Sequence, residues 1–268
     1  MLTYYPPRYL FRRFEILRRV RTGERFLEIG AGNLKLAVEL LAYFKRGVAV
    51  EFSPRASQRY HASSIDIQNR LELKIGDFYS FEFHDRFDCV VSCEVMEHLE
   101  EDGLFLSKIY ALLQDGGEII VSVPARTLYW SIHDEIVGHR RRYEKQDLIQ
   151  LFTQAGFVQI QVISYGFPFV NILRFPRRLL AWVQYNKKVV WDHQKQTIES
   201  GLHQIPDFFK WFGLLINPFT FAPLNWIAAF FNRFFYSDGC IVVAYKPRYG
   251  NENGGKDKTL GEESSPRV

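Results

Sequence analysis

The eight residues Arg25 to Gly32, RFLEIGAG, constrain this chain more than any other stretch. An apolar β-type run ends at glycines 30 and 32, and a helix-like pattern follows from Leu34 to Phe44. Glycine has no Cβ, so a strand breaking into such a turn lets a ligand approach the backbone, and the helix behind it opens with unpaired N–H groups. The combination defines a nucleotide-type pocket. A dinucleotide fingerprint would need a third small residue where Lys35 stands, and the phosphate loop G-x-x-x-x-G-K-[ST] is absent from the turn. Glu28, just before the first glycine, would repel a phosphate and attract a cationic amine.

Later segments put acidic and aromatic residues at the C-terminal ends of strand-like runs, the edge where open α/β sheets bind ligands. VAVEF (Val48 to Phe52) ends on Glu51, a carboxylate able to accept two ribose hydroxyls. KIGDF (Lys74 to Phe78) ends on Asp77 and Phe78, and FDCVVSCEVMEHL runs from Phe87 into Cys93 and Glu94. With Glu28, Gly30 and Gly32 forming E-x-G-x-G, these motifs resemble those of class I S-adenosylmethionine-dependent methyltransferases. The resemblance implies that the glycine turn wraps the amino-acid end of S-adenosylmethionine. It also implies that Asp77 accepts the adenine amino group, that Phe78 packs on the ring, and that the backbone at Cys93 and Glu94 lies against the cofactor. The expected cofactor-binding set is Glu28, Gly30, Gly32, Glu51, Phe52, Asp77, Phe78, Cys93 and Glu94.

The 268 residues suit one large domain or a domain with an insertion. Periodicity predicts a leading amphipathic helix over about 8–20, strands near 25–29, 47–52, 71–75, 87–92 and 117–123, and helices near 34–44, 54–68, 97–113 and 144–155. QDGG (Gln114 to Gly117) reads as a helix-ending turn feeding the fifth strand. Strands at 158–165 and 239–247 complete the set. The expected fold class is α/β: a Rossmann-like methyltransferase fold whose mostly parallel seven-stranded sheet carries helices on both faces. The resemblance implies that the last two strands form an antiparallel pair. Residues 1–165 plus 239–247 are then the cofactor-binding domain, 166–238 an aromatic helical insertion before the last strand, and 248–268 a disordered polar tail.

Net charge is only +4, yet arginines cluster at 12, 13, 18, 19 and 21, at 140–142, and at 174, 177 and 178. The plain expectation is solvated helix faces, with Arg141 and Arg142 paired to Glu135 and Glu144; the alternative is a grip on a substrate phosphate or anionic lipid head group. Low net charge and the lack of an aromatic–basic platform argue against a nucleic-acid acceptor. Cys89, Cys93 and Cys240 form no C-x-x-C pair, and no apolar leader precedes the first arginines, which together predict a reduced, cytoplasmic setting. Trp211 to Phe231 approaches the length of a membrane span, about 20 residues. Pro218, Pro223, Asn217, Thr220 and Asn225 argue against one. Two short interfacial helices, flanked by Lys210, Arg233 and the arginines of 174–178, fit better and predict a membrane surface contacted through 166–236, peripheral to the cytoplasmic membrane. A helical lid packed on the core or on a second subunit is the alternative.

Methyl transfer from a sulfonium is an in-line displacement, so a hydroxyl acceptor must be positioned and relieved of its proton. CEVMEHL supplies Glu94, Glu97 and His98, and WSIHDEIVGHRRRYEKQDL supplies His133, Asp134, His139 and Tyr143. Histidine titrates where such a base is needed. His139 is the first candidate, with His98 and His133 in reserve. The E-x-x-E-H spacing with a later histidine also resembles the magnesium site of ubiquinone-pathway and small-RNA 2′-O-methyltransferases, which makes Glu94, Glu97, His98 and His139 an alternative Mg2+ set. A metal-free site is the primary reading, since an acidic residue at a helix N-terminus is stabilising by itself. G-H-R-R-R-Y after W-x-x-H-D resembles bacterial methyltransferases of cell-envelope glycan and lipid pathways. The function expected is transfer of a methyl group to a small-molecule or lipid-linked acceptor, at oxygen. The competing reading is a catalytically inactive cofactor-binding module acting as a membrane-associated partner.

Overall fold

The computed structural model describes residues 5–175 and 216–248. Among these, one sheet contains β1 (Gly23–Ile29), β2 (Phe44–Glu51), β3 (Leu71–Ile75), β4 (Phe87–Cys93), β5 (Leu113–Pro124), β6 (Val158–Ser164) and β7 (Gly239–Tyr245) in the order β3-β2-β1-β4-β5-β7-β6. β1 to β5 pair in parallel, and β7 enters antiparallel between β5 and β6. From β1 the chain first works outward through β2 and β3, then crosses to β4 and works the other way. That reversal opens a crevice at the C-terminal ends of β1 and β4.

β1 shows why its sequence is a continuous apolar run. Phe26 belongs to the core layer that includes Phe44, Ala49 and Cys89, whereas Leu27 belongs to the opposite layer with Val48, Val90 and Met96. A parallel strand buried on both faces has no polar side to alternate with. Gly47 sits level with Phe26 on the neighbouring strand, and a Cβ there would lie 2.2 Å from the ring. Helices α1 (Pro7–Leu17) and α2 (Lys35–Leu40) cover one face through Phe11, Ile16, Leu36 and Leu40. Helices α5 (Asp102–Leu112) and α7 (Lys145–Gln154) cover the other through Phe105, Ile109, Leu148 and Phe152.

Several boundaries depart from the periodicity for local reasons. α2 starts late because Leu34 adopts φ +62° and prolongs the glycine turn, and β2 already begins at Phe44. The helix expected over 54–68 is two, α3 (Arg55–His61) and α4 (Ile65–Arg70), because Ser64 caps the second by accepting the Ile67 N–H. The helix expected from 97 begins at Asp102; Glu97 and His98 lie instead on the separate 3-10 turn Met96–His98, so stabilisation of a long helix's N-terminus does not account for Glu97. QDGG is an irregularity inside β5, where the register with β4 jumps and Gly116 takes φ +77°.

The arginines of α1 are not a solvated face. Arg8 donates to Glu94 Oε2, to Asp238 Oδ2 and to the Tyr165 hydroxyl, each at 3.1 Å, which ties the first helix to the ends of β4, β6 and β7. The described ends of the insertion pack on the same helix. Phe11 stacks on Phe169 of α8 (Phe169–Ile172) and meets Phe221, while Phe14 meets Trp226 of the Ala222–Phe231 helix. The expected tail beyond 248 lies outside the described residues, as do 176–215 with Lys210, Arg177 and Arg178. No helix among the described residues is long and apolar enough to cross a membrane.

Asp238 is fully buried, accepts from Arg8 and Arg142, and lies 3.7 Å from Arg174. Removing one member of a buried ion pair leaves the other charge uncompensated, so Asp238→Ala should lower the unfolding free energy by about 3–5 kcal/mol in urea titrations.

Candidate active site

A cavity of about 610 Å³ occupies the crevice, within the size range of small-molecule sites. Glu28, Gly30, Gly32, Glu51, Phe52, Asp77, Phe78, Cys93, Glu94, His98, His133 and His139 all line it, joined by Arg8, Tyr9 and Arg12 from α1 and by Arg142. The parallel strands deliver the first group in chain order. α1 and the segment after β5 close over the other side.

At one end the glycine turn is built from left-handed residues: Gly30 at φ +76°, Gly32 at +52° and Leu34 at +62°. The Gly30 and Ala31 N–H groups both donate to the Val50 carbonyl. Glu51 straps the turn to β2, since its Oε2 accepts the Gly32 N–H at 2.6 Å and its Oε1 the Ser53 N–H at 2.9 Å. Carboxylate oxygens have several lone pairs, so both retain capacity for hydroxyl donors. Glu28 is buried, and burial pushes its carboxyl well above the usual range, with Arg12 pulling the other way. Its Oε2 has no hydrogen-bond partner. A buried orphan acceptor is costly, and a cationic amine arriving at this wall would satisfy it. Asp77 caps the short turn Phe78–Ser80 by accepting the Tyr79 N–H. Phe78 is largely committed to the core, edge-on to Phe105, whereas Phe52 stands exposed at the rim. The donor and acceptor set at this end therefore fits S-adenosylmethionine.

At the other end sits a dense charge network. Glu94 adopts φ +56°, a backbone state costly for a non-glycine residue, and is fixed there by the Ser122 hydroxyl at 2.7 Å, by Arg8, and by Arg12 at 3.3 Å. Burial opposes its charge, but the two guanidinium groups and the hydroxyl outweigh it and hold the carboxyl well below its ordinary range. Glu97 is the reverse case: fully buried, with neither carboxyl oxygen hydrogen-bonded, it is pushed up by burial and then by the neighbouring Glu94 charge. Asp134, on α6 (Ile132–Ile136), is buried, yet hydrogen bonds and charge from His139 and Arg142 keep it below its usual range. Ser131 donates to its Oδ2 from both N–H and hydroxyl.

His139 Nδ1 lies 2.9 Å from Asp134 Oδ1. An ionised carboxylate can only accept, so the Nδ1 of His139 donates to it, and in the neutral ring Nε2 is the acceptor. That atom lies 3.6 Å from Glu97 Oε1, beyond hydrogen-bond length. His98 Nδ1 lies 3.0 Å from the Gly138 carbonyl, which likewise can only accept. Burial and then the neighbouring His139 push the His98 pKa down to about 4, so it is neutral near pH 7 with Nε2 unprotonated. The two rings meet edge to face at 5.0 Å.

Tyr143, grouped with these residues by sequence, does not line the cavity; its hydroxyl reaches the Met96 carbonyl and Asp102, and burial raises its pKa. Arg141 pairs with Asp102, and Arg142 with Asp134 and Asp238, rather than with Glu135 and Glu144. Arg8, Ser122 and Asp238 escaped the sequence reading, and Arg12 was placed in a charge cluster rather than in the site. The one available signal was the i,i+4 spacing of Arg8 and Arg12, which puts both on a single helix face. Ligand atoms of Glu97, His98 and His139 lie within 4.8 Å of one another, while Glu94, the fourth of the alternative Mg2+ set, is turned to the arginines. Both imidazoles offer Nε2 while Nδ1 donates to an oxygen, the outer-shell arrangement that metal-binding histidines use, so these three residues fit a divalent cation.

Residues 3–162 match the family model described as a methyltransferase domain, and the chain belongs to that family. By family and fold it is a class I S-adenosylmethionine-dependent methyltransferase. It is 31% identical over 114 residues to the mitochondrial ubiquinone biosynthesis O-methyltransferase of Schizosaccharomyces pombe, covering 41% of this chain and 42% of that protein. Over 160 residues it is 29% identical to a Mycolicibacterium smegmatis protein named as a probable S-adenosylmethionine-dependent methyltransferase, covering 56% and 59%. The chain thus spans about half the length of these relatives. Among solved structures, Haemonchus contortus phosphoethanolamine N-methyltransferase 2, bound to phosphomonomethylethanolamine and S-adenosylhomocysteine, superimposes with a TM-score of 0.55 at 20% identity, covering 88% of this chain and 52% of that one. At that identity the likeness concerns the fold.

A Cβ on Gly30 would lie 2.3 Å from Val95 Cγ2, on a residue at φ +76°. Gly30→Ala should therefore cost about 1–3 kcal/mol in stability and weaken S-adenosylmethionine binding at least about tenfold by calorimetry.

Proposed function

We propose that this protein transfers the methyl group of S-adenosylmethionine to an oxygen of a small-molecule or lipid-linked acceptor, with His139 as the general base. The observation that carries this reading is the Asp134–His139 pair at the acceptor side of the cavity, with Nδ1 held by a carboxylate that Arg142 and Ser131 hold in turn. A base so oriented keeps a lone pair aimed away from its anchor and does not need to reorganise during the reaction.

In the cofactor half, Glu28 receives the α-amino group, Arg12 the α-carboxylate, Glu51 the ribose hydroxyls and Asp77 the adenine amino group, with Phe52 covering the ring. The turn carrying Gly30 and Gly32 lets the amino-acid end lie against the backbone, and the Cys93–Glu94 backbone borders the methyl-bearing sulfur. In the acceptor half, an acceptor hydroxyl placed near His139 Nε2 gives up its proton as its oxygen takes the methyl. Glu97, fully buried beside His139 and biased toward its protonated form by burial and by Glu94, backs this half from behind the cavity wall. His98 and His133 line the same half and orient the acceptor. If a divalent cation is required, Glu97, His98 and His139 would hold it, and it would orient acceptor oxygens and acidify a hydroxyl. The lipid-linked option draws on the aromatic surface formed by the described parts of the insertion.

Two experiments test this. Burial raises the Glu28 pKa in the free protein and the cofactor's cationic amine would lower it, so cofactor binding should release protons over the pH range between the two values, and affinity should rise with pH until Glu28 is ionised in the free protein. Calorimetry in two buffers of different ionisation enthalpy reads the released proton, and Glu28→Gln should abolish it. For catalysis, labelled S-adenosylmethionine and lipid and metabolite extracts identify an acceptor. His139→Ala should then lower kcat by about 10²–10⁴-fold with cofactor affinity unchanged. Activity that a chelator abolishes and Mg2+ restores would replace the base mechanism with the metal-assisted one.

A further inference from the structure

The described parts of the insertion present an unusual surface. Trp226 is 66% exposed, Phe230 63%, Phe219 89% and Phe175 75%, whereas most other aromatics among the described residues are packed. Trp226 and Phe230 stand at i and i+4, one face of the Ala222–Phe231 helix, and Arg233 continues that face at i+7. The aromatics are continuous: Phe230 meets Phe231, Phe231 meets Phe167, Phe167 meets Tyr236, and Tyr236 stacks on Phe234. Within the described segments 166–175 and 216–237 the charge is of one sign. Arg233 lies over the Phe230 and Phe234 rings at 4.9 and 4.8 Å, and Arg126 lies over Tyr129 and Tyr236. Residues 166–175 and 216–237 contain no Asp or Glu. The first acid after them, Asp238, is buried and turned inward to Arg8 and Arg142.

We infer that this surface docks on the interfacial layer of an anionic phospholipid bilayer, which deepens the lipid-linked reading by naming the surface and its partner. Exposed Trp and Phe bordered by arginine match that layer: the rings enter the boundary between head groups and acyl chains, and the guanidinium groups meet the phosphates. A second copy of the chain is a poorer fit. In a two-fold contact the patch would face itself, arginine with arginine, with no acid among its described residues 166–175 and 216–237 to pair with either. The surface is also wired to the acceptor half of the cavity. Asp238 bridges Arg142 and Arg8 there to Arg174, which lies over the Tyr129 ring.

The test is co-sedimentation of the full chain with vesicles of phosphatidylcholine, alone or mixed with phosphatidylglycerol. The wild type should sediment with the mixed vesicles, less with phosphatidylcholine alone, and less again as salt is added. Trp226→Ser/Phe230→Ser should reduce partitioning about tenfold or more. Arg233→Glu should remove most of the preference for phosphatidylglycerol. Wild type left in the supernatant with both vesicle types, or a double variant that sediments like wild type, would overturn the inference. So would a dimer in sedimentation velocity without lipid that the double variant dissociates, since the surface would then belong to a second copy. S-adenosylmethionine calorimetry on each variant reports folding and keeps the two questions apart: intact cofactor binding with no vesicle binding defeats the surface and leaves methyl transfer standing.

Discussion

The guanidinium of Arg8 holds together more of this molecule than any other group. One planar fork reaches Glu94 after β4, Asp238 before β7 and Tyr165 after β6, so a helix from the start of the chain is bound to strands that lie far apart in sequence. The interaction works because all three partners are buried or nearly so, where a charge without its counterpart is strongly penalised. Glu94 can keep its costly left-handed backbone and its full negative charge because two arginines and a serine are waiting for it. Its charge in turn raises the affinity of Glu97 for a proton. Two carboxylates three residues apart are thus shifted in opposite directions, Glu94 toward its charged form and Glu97 toward its protonated one.

A second chain of charges starts from the same aspartate. Asp238 holds Arg142, Arg142 holds Asp134, and Asp134 holds His139. The orientation of the candidate base is therefore set partly by the residue just before the last strand, 99 positions downstream in the chain.

What the sequence made legible was the part of the site carried by parallel strands. Each strand end delivers its residues to one edge by topology alone, so Glu28, Glu51, Asp77 and Glu94 could be placed from the order of their motifs. The histidines were legible as a group for the same reason, since the segment after β5 has to pass over the crevice. Roles that depend on side-chain direction were not. Arg12 read as a solvated charge and Arg8 was not singled out, because helical spacing says which residues share a face, not where that face points. Arg142 was set against glutamates near it in sequence, whereas its partners come from α6 and from the start of β7. Phe78 and Phe52 also exchanged importance, as burial decided which ring was spent on the core. Helix ends at Leu34, Ser64 and Asp102 depended on one left-handed residue, one serine cap and one 3-10 turn, all too local for periodicity to register.

The position of β7 bears on how the chain reaches this state during synthesis. The parallel strands β1 to β5 emerge in sequence and can pair as they appear, but β6 has no neighbour until β7 slots between it and β5. Until residue 245 has left the ribosome, β5 presents an open edge and β6 a strand without a sheet, with the aromatic insertion following β6. The last strand acts as a keystone, and its first residues bring Asp238 to the arginines. Completion of the sheet and completion of the charge network are thus one event, so a chain halted before β7 would lack the oriented base along with the strand.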